Sequence, residues 1–145
     1  VRDTALYELW QAGLYSEHSV EDAVELCSEL LPMFEKAGIA VIRLGLNPTE
    51  ELSGGAAAGG AYHPALGELV KSRIMYKRVR ERLRGVEPGS RVVLAVHPSR
   101  ISQTVGQHRC NIRALCAEFG LKELKITGHQ GEKDEIGIVS VEKQI

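Results

Sequence analysis

Residues 91–126 read RVVLAVHPSRISQTVGQHRCNIRALCAEFGLKELKI, and the order of elements they encode decides the fold of the second half of the chain. RVVLAV is a near-continuous apolar run rich in β-branched residues, which predicts a strand. His97-Pro98 ends it, and Ser99 stands where a cap for the following helix, ISQTV, is needed. The turn Gly106-Gln107-His108-Arg109 separates that helix from a second, NIRALCAEF, which Gly120 closes before a strand over LKELKITG. Upstream, residues 65–84 (ALGELVKSRIMYKRVRERLR) place Leu66, Leu69, Val70, Ile74, Val79 and Leu83 at apolar helical positions, and EPGS turns the chain into the strand. Downstream, the polar HQGEKD leads into a last strand, EIGIVSVEK. The second half is thus an α+β unit of order α-β-α-α-β-β.

The first half has a different grammar. ALYELWQAGLY predicts a short helix that ends at Gly13, and HSVEDAVELCSELLPMFEKAG a longer one. Ser19 and Asp22 form a capping box in its Asp form, Gly38 ends the helix, and Pro32 is expected to kink it or loosen its last turns. IAVIRL, residues 39–44, then has the signature of a parallel strand buried on both faces. A helix followed by such a strand is one αβ step of a barrel or doubly wound sheet, and its neighbouring strands must come from elsewhere. The chain also opens on Val1 and enters a helix at once, which points to a piece of a longer protein. The division falls in the Gly/Ala loop, giving residues 1–60 and 61–145.

Composition narrows the class of partner. The 145 residues are 43% hydrophobic and 26% charged, which is ordinary for a soluble domain. No apolar run is long enough for a membrane helix and no leader is visible, so a cytoplasmic protein without membrane contact is expected. The net charge of −1 conceals an asymmetry. Residues 1–60 carry three Lys/Arg against ten Asp/Glu, residues 61–126 carry thirteen against five, and residues 127–145 two against four. The basic segment points to an anionic partner. Cys27, Cys110 and Cys116 form no CxxC or Cys/His ligand pattern, so no metal site is assigned, and Cys27 reads as a core thiol.

Two groups of residues stand out. Arg43 lies one residue from the end of a strand read as parallel, and ligands of such sheets collect at the carboxyl ends of the strands. With Asn47, and with Tyr62 and His63 beyond the Gly/Ala loop, it is a candidate wall of a substrate cavity; a structural ion pair is the other reading of Arg43. His63 has no Asp, Cys or Ser placed to make a triad, and no catalytic residue is assigned. The second group is nucleic-acid binding: Lys77, Arg78, Arg100, Gly106, Arg109 and Arg113. Strand, helix, Gly-containing turn, helix, strand is the core of a KH-like unit, whose GxxG turn brings backbone amides and a helix N-terminus to the nucleic-acid backbone. Arg109 replaces the second Gly of that turn, which removes close approach and adds a cation.

The stretches LYELWQAGLYSEHSVEDAVEL, VIRLGLNPTEEL and AYHPALGELVKSR, within residues 5–73, resemble the C-terminal region of radical SAM proteins related to the Elongator catalytic subunit. That resemblance implies a fold in which residues 1–60 are the last αβ step of a partial TIM-type barrel, followed by the α+β extension. It implies a parent enzyme with a [4Fe–4S] cluster and S-adenosylmethionine, whose reductive cleavage gives a 5′-deoxyadenosyl radical, and tRNA as the substrate of Elongator-like relatives. The cluster-binding CxxxCxxC is missing here, so no cofactor is expected on this chain. Its partners would be the rest of the parent chain and tRNA or another RNA, and an exposed barrel edge would favour a homodimer. A stand-alone KH-like RNA-binding module is the alternative, and a domain whose basic helix meets an acidic protein is a third.

Overall fold

The computed structural model describes residues 1–46, 49, 50, 52–57, 59–61 and 63–143. Two compact units emerge, Val1–Val70 and Lys71–Ile145, so the division falls within a helix beyond the Gly/Ala loop at which the sequence places it.

The first unit holds helices α1 (Ala5–Gln11) and α2 (Val20–Lys36). Thr4 caps α1 by accepting from Tyr7 N at 3.2 Å. The capping box of α2 forms as expected: Asp22 N donates to Ser19 Oγ at 3.0 Å and Ser19 N to Asp22 Oδ2 at 3.2 Å. The Ser19 backbone N–H foremost, and then the Ser19 hydroxyl, hold the Asp22 carboxyl below its ordinary value. Pro32 neither ends nor divides α2, which continues to Lys36. A proline removes one backbone bond, and at this position the helix retains those on either side.

The strand expected over residues 39–44 does not form. Residues 39–44 belong to no ladder among the described residues, and their side chains are not buried: Ile42 is 98% exposed and Ile39 53%. A parallel strand exists only when neighbours take its N–H and C=O groups, and the described residues of this unit supply none. On α2 a stripe of Leu26, Leu30, Met33 and Phe34 is likewise exposed, opposite buried Ser28 and Leu31.

The second unit follows the predicted order α-β-α-α-β-β. Helix α3 (Leu66–Arg82), which begins in the first unit, leads to β1 (Arg91–Val96), α4 (Ile101–Val105), α5 (Cys110–Phe119), β2 (Glu123–Gly128) and β3 (Ile136–Glu142). The sheet order is β2-β1-β3, with β2 parallel and β3 antiparallel to β1, and one irregularity between Val93 and Leu94. The connection between parallel strands must cross one face of the sheet, and α4 and α5 make that crossing. Val92, Leu94 and Val96 of β1 are fully or almost fully buried and pack with Met75 and Val79 of α3, Leu83 just beyond its end, and Ile112 and Leu115 of α5. The fold is therefore mixed α/β of the α+β kind.

On α3, Ile74, Met75 and Val79 are buried and Lys71, Arg73, Lys77 and Arg78 half-buried. Arg78 meets Asp134 at 3.0 Å, Arg80 meets Glu118 at 2.7 Å and Arg84 meets Glu81 at 2.8 Å. The Arg73 guanidinium lies 4.9 Å from the centre of the Tyr76 ring, a cation–π distance.

Candidate nucleic-acid interface

Between α4 and α5 the chain reverses at Gly106, whose φ of +79° and ψ of 163° are all but restricted to glycine. A Cβ there would come within 2.7 Å of Cys110 Sγ and 3.1 Å of Asn111 N. Space and conformation both demand this glycine. His108 and Arg109 follow in the left-handed region, at φ +52° and +60°, so three of the four turn residues have positive φ. The turn is fastened from inside by buried Asn111, whose Nδ2 is within 3.1 Å of Ser72 O and Oγ and 3.2 Å of Gln103 O. Thr104, fully buried, donates to Arg100 O at 2.7 Å and closes α4 on its own first turn.

This geometry leaves a groove of about 530 Å³ between α5 and β2. Its floor is aliphatic, with Val105, Ile112, Leu124 and Ile126; Arg109, Lys122, Lys125 and Glu123 rim it, and Cys116 lies in its wall. Burial pushes the Cys116 thiol up, and the positive charge of Arg109 offsets part of that rise. Glu123 lies 4.0 Å from Arg91, so the rim's one carboxylate already faces a cation.

Of the residues singled out from sequence, Gly106 and Arg109 form the turn, with Arg109 on the groove, and Arg113 is exposed one turn further along α5. Arg78 and Arg100 meet elsewhere, at Asp134, with distances of 3.0 and 3.9 Å. Lys77 is half-buried on α3. In the first unit Arg43 is exposed on the segment after α2, which pairs with no strand among the described residues. His63 accepts from Ala65 N through Nδ1 at 3.0 Å, a capping contact at the start of α3. Asn47 and Tyr62 lie outside the described residues. A small cavity of about 90 Å³ in this unit is lined by Tyr7, Trp10, Tyr15, Glu17 and Gly59 among others, and Arg43 and His63 are not in its wall.

Sequence reasoning missed two groove cations, Lys122, which directly precedes β2, and Lys125, which lies within it. It also missed a histidine pair. His97 and His129 follow the carboxyl ends of parallel β1 and β2, and their rings stand edge to face with centroids 6.5 Å apart. Each is a turn-capping group: His97 Nδ1 accepts from Ser99 N at 3.2 Å, and His129 Nδ1 accepts from Gly131 N at 2.9 Å. The cap of the turn after β1 is thus His97 and not Ser99. The available signal was a histidine placed directly after each of two strands that a helical crossover makes parallel.

Residues 1–76 match the model of the Radical_SAM C-terminal domain, just over half of the chain, and the chain belongs to that family. No curated protein and no solved structure matches it. The iron–sulfur cluster associated with radical SAM chemistry does not fit the donors present. The three cysteines are free, and no group of three His, Cys, Asp or Glu among the described residues could hold a metal ion. No chemical step through a cluster follows for this chain. Among the described residues no helix is long and apolar enough to cross a membrane.

Proposed function

We propose that this chain is the C-terminal region of a radical SAM protein of the Elongator-catalytic-subunit type. Residues 1–60 would complete the end of a partial TIM-type barrel, and the α+β extension would dock an RNA substrate, tRNA on the Elongator-like reading. Cluster and S-adenosylmethionine would be held by the parent's preceding part, and this region would not be catalytic alone. The observation that carries the reading is the exposed apolar surface of the first unit. Ile39 and Ile42 on the extended segment, with Leu26, Leu30, Met33 and Phe34 on α2, are what a barrel's last αβ step looks like without its neighbouring strands.

The test is the full reading frame containing this chain, purified and reconstituted without oxygen. A reduced-state EPR signal of a [4Fe–4S] cluster, with 5′-deoxyadenosine formed from S-adenosylmethionine, is expected. A full-length product with no cluster and no cleavage overturns the reading. A stand-alone KH-like RNA-binding module is the second reading. It is supported by the β-α-α-β order of β1, α4, α5 and β2 around the Gly106 turn, and it predicts full RNA affinity in this chain without any preceding part.

A further inference from the structure

We propose that the small cavity beside α1 binds a trimethylammonium group, the cationic head of a choline-like solute or of a trimethylated lysine. Tyr7, Trp10 and Tyr15 would cover its methyl groups, and Glu17 would face its charge. The site lies wholly within the first unit and is independent of the RNA-docking reading of the second.

Local geometry builds the cavity. Tyr7 and Trp10 stand three residues apart on α1, so their rings project from one side of the helix, with centroids 5.8 Å apart and planes inclined by 31°. Gly13 then turns the chain at φ +74°, its N–H donating to Trp10 O at 3.1 Å, and Tyr15 and Glu17 return to the same cavity. Hydrogen bonds fix two of the aromatic walls. Gln11 Nε2 donates to Tyr7 Oη at 3.0 Å, and Trp10 Nε1 donates to Glu17 Oε2 at 2.5 Å. Gly59 lies against both members of the second pair: a Cβ there would be 3.3 Å from Glu17 Oε1 and 3.6 Å from Trp10 Cζ2.

Three properties select the ligand. The first is the wall. Of the chain's four Tyr, two Phe and one Trp, three line this one cavity. The face of such a ring is negative and attracts a cation within about 6 Å of its centre. The second is charge. Glu17 is half-buried, one of its oxygens takes the indole N–H, and no cation pairs with it among the described residues. A neutral guest would strip water from that carboxylate and return nothing, and an anion would be repelled. A primary ammonium brings three N–H donors that need acceptors, whereas this wall offers mainly ring faces. A trimethylammonium group has a charge and no N–H. The third is size. The cavity of about 90 Å³ is far below the ~300–1,000 Å³ that holds a whole drug-sized ligand, so it suits a headgroup of a few atoms.

Trp10 is the chain's one tryptophan, so its fluorescence reports this cavity alone. The test titrates the whole chain with choline chloride. Sodium chloride at matched ionic strength is one comparison, and 3,3-dimethylbutanol, which has choline's shape with carbon in place of the charged nitrogen, is the other. A saturable change in emission is expected with choline, at least tenfold tighter than with the alcohol. Glu17→Gln keeps an acceptor for the indole N–H and removes the charge. Tyr15→Leu keeps apolar bulk and removes a ring face at a residue 40% exposed, which spares the fold. Each should weaken choline by about tenfold. A peptide carrying trimethyl-lysine, beside the same peptide unmethylated, distinguishes the two sources of the group.

An equal response to the alcohol would make this a plain apolar cavity and overturn the proposal. A response that sodium chloride reproduces, or a choline affinity untouched by both substitutions, also overturns it. Tighter binding of the trimethylated peptide than of choline keeps the site and assigns it to a protein side chain; tighter binding of choline assigns it to a free solute.

Discussion

Replacing Gly106 by alanine should cost the second unit more than any other single methyl group added at a glycine of positive φ in its turns. Two contributions add. The backbone at φ +79° and ψ 163° lies in a region nearly closed to residues with a Cβ, which costs about 1–3 kcal/mol. The new Cβ would also sit 2.7 Å from Cys110 Sγ and 3.1 Å from Asn111 N. The sulfur can rotate away, but the Asn111 amide is backbone, and moving it disturbs the bonds from Asn111 to Ser72 and Gln103. Overpacking of this kind costs about 1–3 kcal/mol. A total of about 3–4 kcal/mol follows. Gly85 is the control: its φ is +83°, but nothing lies within 4 Å of a Cβ there, so Gly85→Ala should cost about 1 kcal/mol. Urea unfolding, with amide exchange followed over residues 91–128, separates the two variants. Each 1.4 kcal/mol is tenfold in an opening equilibrium, so Gly106→Ala should speed exchange in β1 and β2 by on the order of 10². Equal destabilisation by the two substitutions would refute the close-contact account of the turn.

Other expectations follow from the same region. Asn111→Leu removes a donor from the carbonyls of Ser72 and Gln103 in a buried site, and should lower stability by about 2–3 kcal/mol in urea titration. Arg109→Gly relieves a left-handed arginine at φ +60° and should raise stability by about 1 kcal/mol while weakening nucleic-acid binding, a pairing that a purely structural Arg109 would not show. Cys116 is pushed up by burial, so at pH 8 it should react with iodoacetamide more slowly than exposed Cys110. The folded chain holds that thiol proton more tightly than the unfolded chain does. Its contribution is therefore intact below the ordinary thiol range and lost as pH rises through the folded value, so Cys116→Ala should flatten the alkaline arm of the stability profile.

Where one short run carries its own reason for a conformation, the sequence was a good guide. RVVLAV became β1 residue for residue, the Ser19–Asp22 box formed, and the order α-β-α-α-β-β is the one observed. The sequence was a weaker guide where conformation depends on a neighbour. IAVIRL has the composition of a buried strand, but its burial depends on strands that no described residue of the first unit supplies. Pro32, expected to kink α2 or loosen its last turns, leaves the helix continuous to Lys36. Pairings across the fold were invisible: Arg78 and Arg100 reach Asp134 over separations of 56 and 34 residues, and no spacing rule reaches so far. Lys122 and Lys125 became candidates when the sheet order placed β2 at an edge beside α5.

The central claim is that residues 1–60 are the end of a barrel whose other strands belong to the parent chain. Amide hydrogen exchange over residues 39–46, measured in the 145-residue chain and again in the full-length protein, tests it most directly. The account predicts fast exchange in the shorter chain and protection greater by on the order of 10² or more in the longer one, as the segment gains strand neighbours. Equally fast exchange in both would contradict it.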